Sequence, residues 1–356
     1  MAHYFKDTPE GRIWYPGAIK LSDGRWQSNP TAETLISEGW TPFTPDTPSL
    51  YMGDEPLPED VSLKKLFEKH PESRSMVRLI MTGLVYHYTT WDVLFKILSS
   101  DNTEKGRAVL RAFSVKYMND SSEGLLIPRG LSDAEDRSLE GKESVVLTTN
   151  GEKRFCPATE HPFYKRKKEM EEYSANKNRQ RLFSVSFSRE PDSLPMWNYY
   201  GHDGCGLAIG FDAHQIVNQG YDIIECIYDK TLIDVLSDCI FDSCYWVSDN
   251  QPQTITLSLI SKDHHFQYEK ECRIPLRQHY GQCCITKRNQ FYPIKYDIKK
   301  GVISPFVEVY VPIEAIREIW IGPTNDIDLA EDSLRGWLDN IGMPWVKIKK
   351  SLAPLR

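Results

Sequence analysis

The chain has 356 residues, 40% of them hydrophobic and 12% aromatic, which allows a sizeable core and excludes a disordered chain. The formal net charge of −7 argues against duplex DNA as the main partner, because neutralising phosphates requires clustered Lys and Arg. The chain has no run of 18 apolar residues, and its eight cysteines form no CxxC pair. We therefore expect a cytoplasmic protein with no membrane contact and no metal site.

Residues 1–40 predict a small module made of a hairpin and a helix. Asp23-Gly24 tolerates the positive φ values of a tight turn inside Ile19–Gln27. Asn29 is the expected N-cap of the helix that follows, and Gly39 is its expected end.

A proline-rich segment separates this module from the rest of the chain. Five prolines lie within residues 41–60, which predicts an extended linker. Residues 61–356 then form the expected main domain, with a polar and charged insertion near residues 131–180.

Hydrophobic periodicity in the main domain predicts a mixed α+β fold. Strands outnumber crossover helices, so a doubly wound parallel sheet is disfavoured. The expected strands lie at residues 84–88, 109–115, 182–187, 206–211, 223–228, 273–276, 306–311 and 319–321. The expected helices lie at residues 61–70, 91–98 (capped by Thr90), 162–176, 230–246, 253–264 and 327–340.

Three short clusters are candidates for chemistry. His87 ends a buried strand beside Tyr88 and Thr89, although a core histidine bonded to a backbone carbonyl would leave the same pattern. A second cluster, Met196 to Gly201, has aromatic side chains that can stack on a flat ring or pack in the core.

The third cluster is Glu269-Lys270-Glu271-Cys272-Arg273. In a strand, Glu269, Glu271 and Arg273 would lie on one face, and Arg273 would keep Glu271 ionised. The alternative is an exposed strand whose charges form ordinary ion pairs.

These clusters resemble an uncharacterised domain family of bacteria and phages. Its pattern runs HYT, NDxxE, FSFSxxxDSLxMWxxYGxxGxGxxIGF, ExExR and IxxIxIGP. The matching segments, spread over residues 84 to 325, are His87-Tyr88-Thr89, Asn119-Asp120 with Glu123, Phe183 through Phe211, Glu269 to Arg273, and Ile316 through Pro323.

The family pattern in turn looks like the ADP-ribosyltransferase fold of diphtheria toxin, the poly-ADP-ribose polymerases and the DNA-modifying toxins. In that fold a His-x-Thr/Ser strand holds the riboses of NAD and a late Glu stabilises the ribosyl cation. The resemblance implies that His87 and Thr89 bind the riboses and that Glu271, or Glu269, is catalytic. Tyr88 stands where many of these enzymes have a glycine.

The resemblance also implies a tyrosine that stacks on nicotinamide and a cation that holds the pyrophosphate. Tyr117, Tyr199 and Tyr200 are all candidates for the first role, and Arg273 or Arg111 for the second. The carboxylate would stabilise positive charge on the ribose, a contribution of about 3–4 kcal/mol for one well-placed group.

The expected activity is transfer of ADP-ribose from NAD, used as a substrate, to a macromolecular acceptor, which is either protein or nucleic acid. The expected setting is phage–host conflict, antiviral defence or action as a toxin. Two alternatives stay open among enzymes, a NAD glycohydrolase and a metal-dependent nuclease using Glu269, Glu271 and Asp263. A third is a non-catalytic module that binds a phage or host protein.

Overall fold

The computed structural model describes residues 4–8, 11–14, 18–22, 26–28, 30–42, 70–118, 120–147, 153–178, 181–243, 252–279, 283–285, 291–299 and 301–354. By their contacts the residues divide into two compact units, 1–58 and 59–356. The predicted linker, beyond Pro42, and residues 61–69 of the helix expected at 61–70 lie outside the described residues. No helix in the described ranges has the length and apolar character needed to cross a bilayer.

The described residues of the N-terminal unit form two small antiparallel sheets and one helix. Their elements are β1 (Tyr4–Thr8), β2 (Gly11–Trp14), β3 (Ala18–Lys20), β4 (Trp26–Ser28), α1 (Ala32–Ser37) and β5 (Thr41–Pro42). The β3–β4 hairpin is confirmed, although its turn lies outside the described residues. The predicted cap is wrong: Thr31, and not Asn29, accepts the amide of Thr34, so α1 begins two residues later than expected.

The main unit is built from fourteen described strands and nine described α-helices. The strands are β6 (Leu84–Thr89), β7 (Arg107–Ser114), β8 (Glu143–Leu147), β9 (Lys153–Pro157), β10 (Leu182–Ser188), β11 (Leu207–Asp212), β12 (Ile224–Glu225), β13 (Glu271–His279), β14 (Cys283–Ile285), β15 (Phe291–Pro293), β16 (Lys295–Lys299), β17 (Val302–Pro312), β18 (Ile316–Ile321) and β19 (Lys347–Lys350). The helices are α2 (Trp91–Ile97), α3 (Ser100–Thr103), α4 (Leu126–Leu139), α5 (Pro162–Asn178), α6 (Leu194–Tyr199), α7 (Ala213–Asn218), α8 (Lys230–Ser243), α9 (Pro252–Ile260) and α10 (Ile327–Asn340).

One large sheet dominates the unit and confirms the α+β expectation. Its main path runs β15-β14-β13-β10-β6-β11-β18-β19, and β7, β17 and β16 branch from β10. The pairings are antiparallel except for β18 with β19, so the sheet is mixed. Helix α10 begins and ends as predicted, because Asp326 caps it by accepting the amide of Leu329.

The sheet divides in its middle, where β10 changes neighbours. Near its C-terminal end β10 pairs with β6 at Ser188 and Tyr86, and near its N-terminal end it pairs with β7 at Phe183 and Ser114. Beyond Tyr86, strands β6 and β10 are therefore no longer paired. We call this unpaired stretch the β6–β10 gap.

Apolar side chains cover the two faces of the sheet unequally. One face, which carries Val85, Phe187, Ile209 and Cys272, belongs to the largest core cluster. The other face carries Tyr86 and Tyr88 and is covered by a smaller cluster that includes α6. The site described below lies on this second face.

The expected polar insertion and the expected cap of α2 differ from the structure. The segment expected to be a polar insertion starts with α4, which buries Ile127, Leu131 and Ala134 at helical spacing and packs beside α8. Thr90 occupies the N-cap position of α2, but its hydroxyl bonds to Asp92 and caps no amide.

Candidate functional site

Five charged side chains meet in the interior of the main unit. They are no more than 5% exposed, and we call them the charge cluster: Glu123, Lys262, Glu269, Glu271 and Arg273. Buried charges are rare because removing them from water costs several kcal/mol each unless partners compensate. A cluster of five buried charges is therefore a candidate functional site.

Different local structures bring the two predicted catalytic glutamates together. Glu269 ends a 3-10 helix, His264–Glu269, and Lys270 then takes a left-handed backbone with φ of 41°. Glu271 begins β13, so the prediction of one continuous strand face from Glu269 to Arg273 is wrong for Glu269. The turn at Lys270 directs the Lys270 side chain outward, where it pairs with Glu190.

Glu123 and Lys262 reach the cluster from other parts of the chain. Glu123 lies in the turn before α4, which Asp120 organises by accepting the amide of Ser122 at 2.7 Å. Lys262 follows α9, and its amide donates to the carbonyl of Ile227 at 2.9 Å.

Arg273 is the centre of the cluster. Its guanidinium donates to Glu123 at 2.5 and 2.6 Å and to Glu271 at 2.8 and 2.9 Å. A further bond, at 2.7 Å, goes to the carbonyl oxygen of Leu259. These are two-pronged pairs with carboxylates, the geometry for which a planar guanidinium is suited. Arg273 therefore has no donor pointing toward a pyrophosphate.

Lys262 lies between the remaining carboxylates. Its ammonium donates to Glu269 and, at 2.6 Å, to Glu271, and it lies 3.7 Å from Glu123. Its ammonium thus occupies the position between Glu269 and Glu271 that a bridging metal ion would need.

The cluster has one more acid than it has cations, and the two glutamates respond in opposite ways. Three carboxylates and two cations give a formal charge of −1 when all are ionised. Burial raises the pKa of Glu269, and the attraction between its carboxylate and the Lys262 ammonium does not offset this rise. Burial alone would also raise the pKa of Glu271, but Arg273 and Lys262 hold it far below its ordinary value. Glu271 is the firmly ionised member, and Glu269 carries the excess.

Aromatic side chains surround the Glu269 end of the cluster. The hydroxyl of Tyr200 donates to Glu269 Oε1 at 2.8 Å, and burial raises the pKa of this phenol. Tyr199 is 68% exposed, and its ring centroid lies 6.2 Å from that of Tyr268. Of the predicted stacking residues, Tyr200 is therefore the one bonded to the cluster, and Tyr199 is the one open to solvent.

Trp197 belongs to the small core cluster against which Tyr200 packs. It is fully buried, and its indole nitrogen donates to Asp192 at 2.7 Å. Its ring packs edge-on against Tyr88, whose hydroxyl donates to the carbonyl oxygen of Glu190 at 2.9 Å. The contacts of Trp197 and Tyr88 are thus those of buried residues that stabilise the fold.

His87 and the charge cluster lie on opposite faces of the sheet. Ser188 pairs with both Tyr86 and Glu271, so these residues share one face, and His87 points to the other. There its Nδ1 donates to the carbonyl oxygen of Ser186 at 3.0 Å beside the β6–β10 gap. Thr89 lies on the same side as His87 and is buried.

The two other predicted binding residues lie outside the cluster. Arg111, on β7, pairs with Asp297 and stacks over the ring of Phe306 at 4.5 Å. Tyr117 is half-buried at the end of the 3-10 helix Val115–Tyr117. Among the described residues, neither side chain forms a hydrogen bond or an ion pair with Glu269 or Glu271.

One group could hold a metal ion in the part of the chain that the structure describes. Candidate ligand atoms of Asp263, His264 and His265 lie within 4.8 Å of one another at the surface. Asp263 Oδ1 already accepts the amide of His265 at 3.0 Å and lies 2.6 Å from its Nδ1. A nuclease centre made of Asp263, Glu269 and Glu271 would need Lys262 to leave its place between the two glutamates.

Comparison with known proteins gives a limited match. Residues 196–274 match the family model described as "Protein of unknown function (DUF2971)". Searches of the curated proteins and of the solved structures found no match. The matched segment begins at Met196 and ends just after Arg273, so it contains four of the five charged residues of the cluster. Glu123 and His87 lie outside it.

Sequence reasoning did not assign two members of the cluster. Glu123 was visible as the last residue of the NDxxE motif, but its partner Arg273 is 150 positions away. Lys262 follows the apolar helix α9. This position indicates a buried cation only when the carboxylates that pair with Lys262 are already known.

Proposed function

We propose that the protein cleaves the bond between nicotinamide and ribose in NAD and transfers ADP-ribose to a macromolecular acceptor. The supporting observation is the charge cluster, where three carboxylates share two cations away from water beside Tyr200. Cleaving this bond leaves positive charge on the ribose. A fixed carboxylate in a low-dielectric site stabilises such charge more strongly than it would in water.

Glu269 is the carboxylate best suited to face the ribose. Its partners are a tyrosine hydroxyl and an ammonium shared with other acids, whereas both oxygens of Glu271 are held by cations. Positive charge forming beside Glu269 would offset the excess negative charge of the cluster. In this proposal Glu271 is a positioning residue that fixes Lys262, and Tyr200 moves aside to admit the substrate.

The proposed NAD site extends through the β6–β10 gap. A dinucleotide that contacts both His87 and Glu269 has to cross from one face of the sheet to the other, and the gap is where β6 and β10 are not paired. The finer assignment, an ADP-ribosyltransferase-like domain, rests on the order His87, Tyr200, Glu269 along the chain. The setting of phage–host conflict or toxin action rests on the resemblance alone.

In the test, NAD labelled in its adenylate part is incubated with the protein and a cell lysate. The molecules that carry the label afterwards are then identified. Label on protein or nucleic acid is the expected result, and free ADP-ribose alone would indicate a glycohydrolase. A separate assay of nucleic-acid cleavage, with and without EDTA, identifies a metal-dependent nuclease, whose activity EDTA would abolish. Intact NAD, together with no heat of NAD binding by calorimetry, would refute the proposal and favour a binding module.

A further inference from the structure

The hairpin β16–β17 exposes an apolar face to solvent. Tyr296 is 65% exposed, Ile298 74% and Ile303 68%. Tyr296 pairs with Pro305, and Ile298 with Ile303, so all four lie on the same face of the two-stranded ribbon. Single exposed apolar residues are common, but a contiguous group on one ribbon face marks a surface that another molecule covers.

The opposite face of the same hairpin contacts the rest of the unit through polar groups. Asp297 pairs with Arg111, and Lys295 Nζ lies 2.8 Å from Glu308. Phe306 is buried on this side. The ribbon therefore turns charged side chains toward its own chain and apolar ones toward solvent, the reverse of a ribbon that faces only water.

The backbone of β16 has hydrogen-bonding groups directed outward. Pro305 has no amide hydrogen, so its pair with Tyr296 is a non-hydrogen-bonded one, and the N–H and C=O of Tyr296 point away from β17. In the described ranges no strand pairs with β16 on that outer side. The next outward amide, of Ile298, donates to Asp297 Oδ1 at 2.8 Å, which places this carboxylate at the outer edge.

We propose that a second copy of the chain pairs with β16, strand against antiparallel strand, around a two-fold axis at Tyr296. This register places Lys295 opposite Asp297 of the second copy. The opposite charges favour it. A two-fold axis at Asp297 would instead set Asp against Asp and Lys295 against Lys299, so like charges exclude that register.

The first test measures the oligomeric state of the full chain by sedimentation. The interface is small, so we expect a weak dimer that forms as the concentration rises to about 200 µM. Ile298→Lys should raise the dissociation constant about tenfold or more. Leu329→Lys is the matched control, because Leu329 is 67% exposed on α10, and it should change nothing. A monomer at every concentration, or a dimer that Ile298→Lys leaves intact, overturns the proposal.

The second test checks the register by cross-linking. Opposed residues in a hydrogen-bonded antiparallel pair have Cα atoms about 5.5 Å apart, which suits a disulfide. Tyr296→Cys should give a covalent dimer on mild oxidation. Ile303→Cys, equally exposed but on β17, should not, and the unmodified chain controls for the native cysteines. If Ile298→Lys abolishes the dimer but Tyr296→Cys gives no cross-linked dimer, the proposed strand pairing is overturned.

Discussion

Glu269→Gln and Glu271→Gln are expected to differ widely in their effect on stability, although the two residues are neighbours in one cluster and the substitution is the same. Glu271 is ionised and accepts from both Arg273 and Lys262, so an amide there leaves two buried cations short of a partner. Glu269 carries the excess acid of the cluster, so replacing its carboxyl by a neutral amide removes an unfavourable charge and leaves one oxygen that can accept from Tyr200 or from Lys262.

The size of the difference follows from the distances. At 2.6–2.9 Å, with an effective dielectric constant of about 20, each cation attracts the Glu271 carboxylate by roughly 6 kcal/mol. The cost of burying the carboxylate, several kcal/mol, offsets part of this. We therefore expect Glu271→Gln to lower the free energy of unfolding by about 3–5 kcal/mol, and Glu269→Gln to change it by less than about 1 kcal/mol.

Urea denaturation at several pH values measures both effects. The folded pKa of Glu271 lies below its ordinary value of 4.5, so its contribution is present above pH 4.5 and is lost as the pH falls further. The deficit of Glu271→Gln should therefore shrink in acid. The folded pKa of Glu269 is raised, so its contribution is present below 4.5 and is lost as the pH rises. Glu269→Gln should gain on the unmodified protein toward pH 8. Equal losses for both variants at pH 7 would refute this description of the cluster.

Three further predictions concern the surroundings of the site. Trp197→Ala should cost about 3–5 kcal/mol of unfolding free energy in urea, whereas Trp345→Ala, at an exposed site, should cost far less; equal costs would contradict the core role of Trp197. Asp326→Ala should lose about 0.5–2 kcal/mol with the cap of α10, and Asp326→Asn should retain most of it, in the same assay. His87→Ala should weaken NAD binding in calorimetry about tenfold and lower the melting temperature little, since a hydrogen bond such as that to the carbonyl of Ser186 contributes only about 0.5–1.5 kcal/mol; unchanged affinity with a large loss of stability would make His87 a core residue.

Local pattern was enough to predict most elements of the main unit. Helix α10 and strand β6 were recognisable because their apolar residues recur at the helical and strand periods, and β6 is followed directly by the start of α2. The apolar spacing in α4, at Ile127, Leu131 and Ala134, is also present in the sequence, but it lies among polar and charged residues that favour a surface segment.

The charge cluster could be predicted only in part, because its contacts join distant positions. Glu271 and Arg273 were predicted to share a strand face and to form an ion pair, and the structure confirms both. The break at Lys270 was missed, since a left-handed lysine has no signature in a single sequence. The pairings of Arg273 with Glu123 and of Lys262 with Glu269 depend on the packing of α9 and the turn before α4 against β13.

Release of nicotinamide from NAD by the unmodified protein and by Glu269→Gln tests the proposed function most directly. Glu269→Gln is expected to fold, so a loss of turnover can be assigned to the missing charge once NAD binding is shown to persist. We predict measurable release by the unmodified protein. The rate for the variant should be lower by roughly 10²-fold or more, as for loss of one electrostatic contact in the transition state. Equal rates in two preparations that bind NAD, or no release from either, would contradict the role given to Glu269.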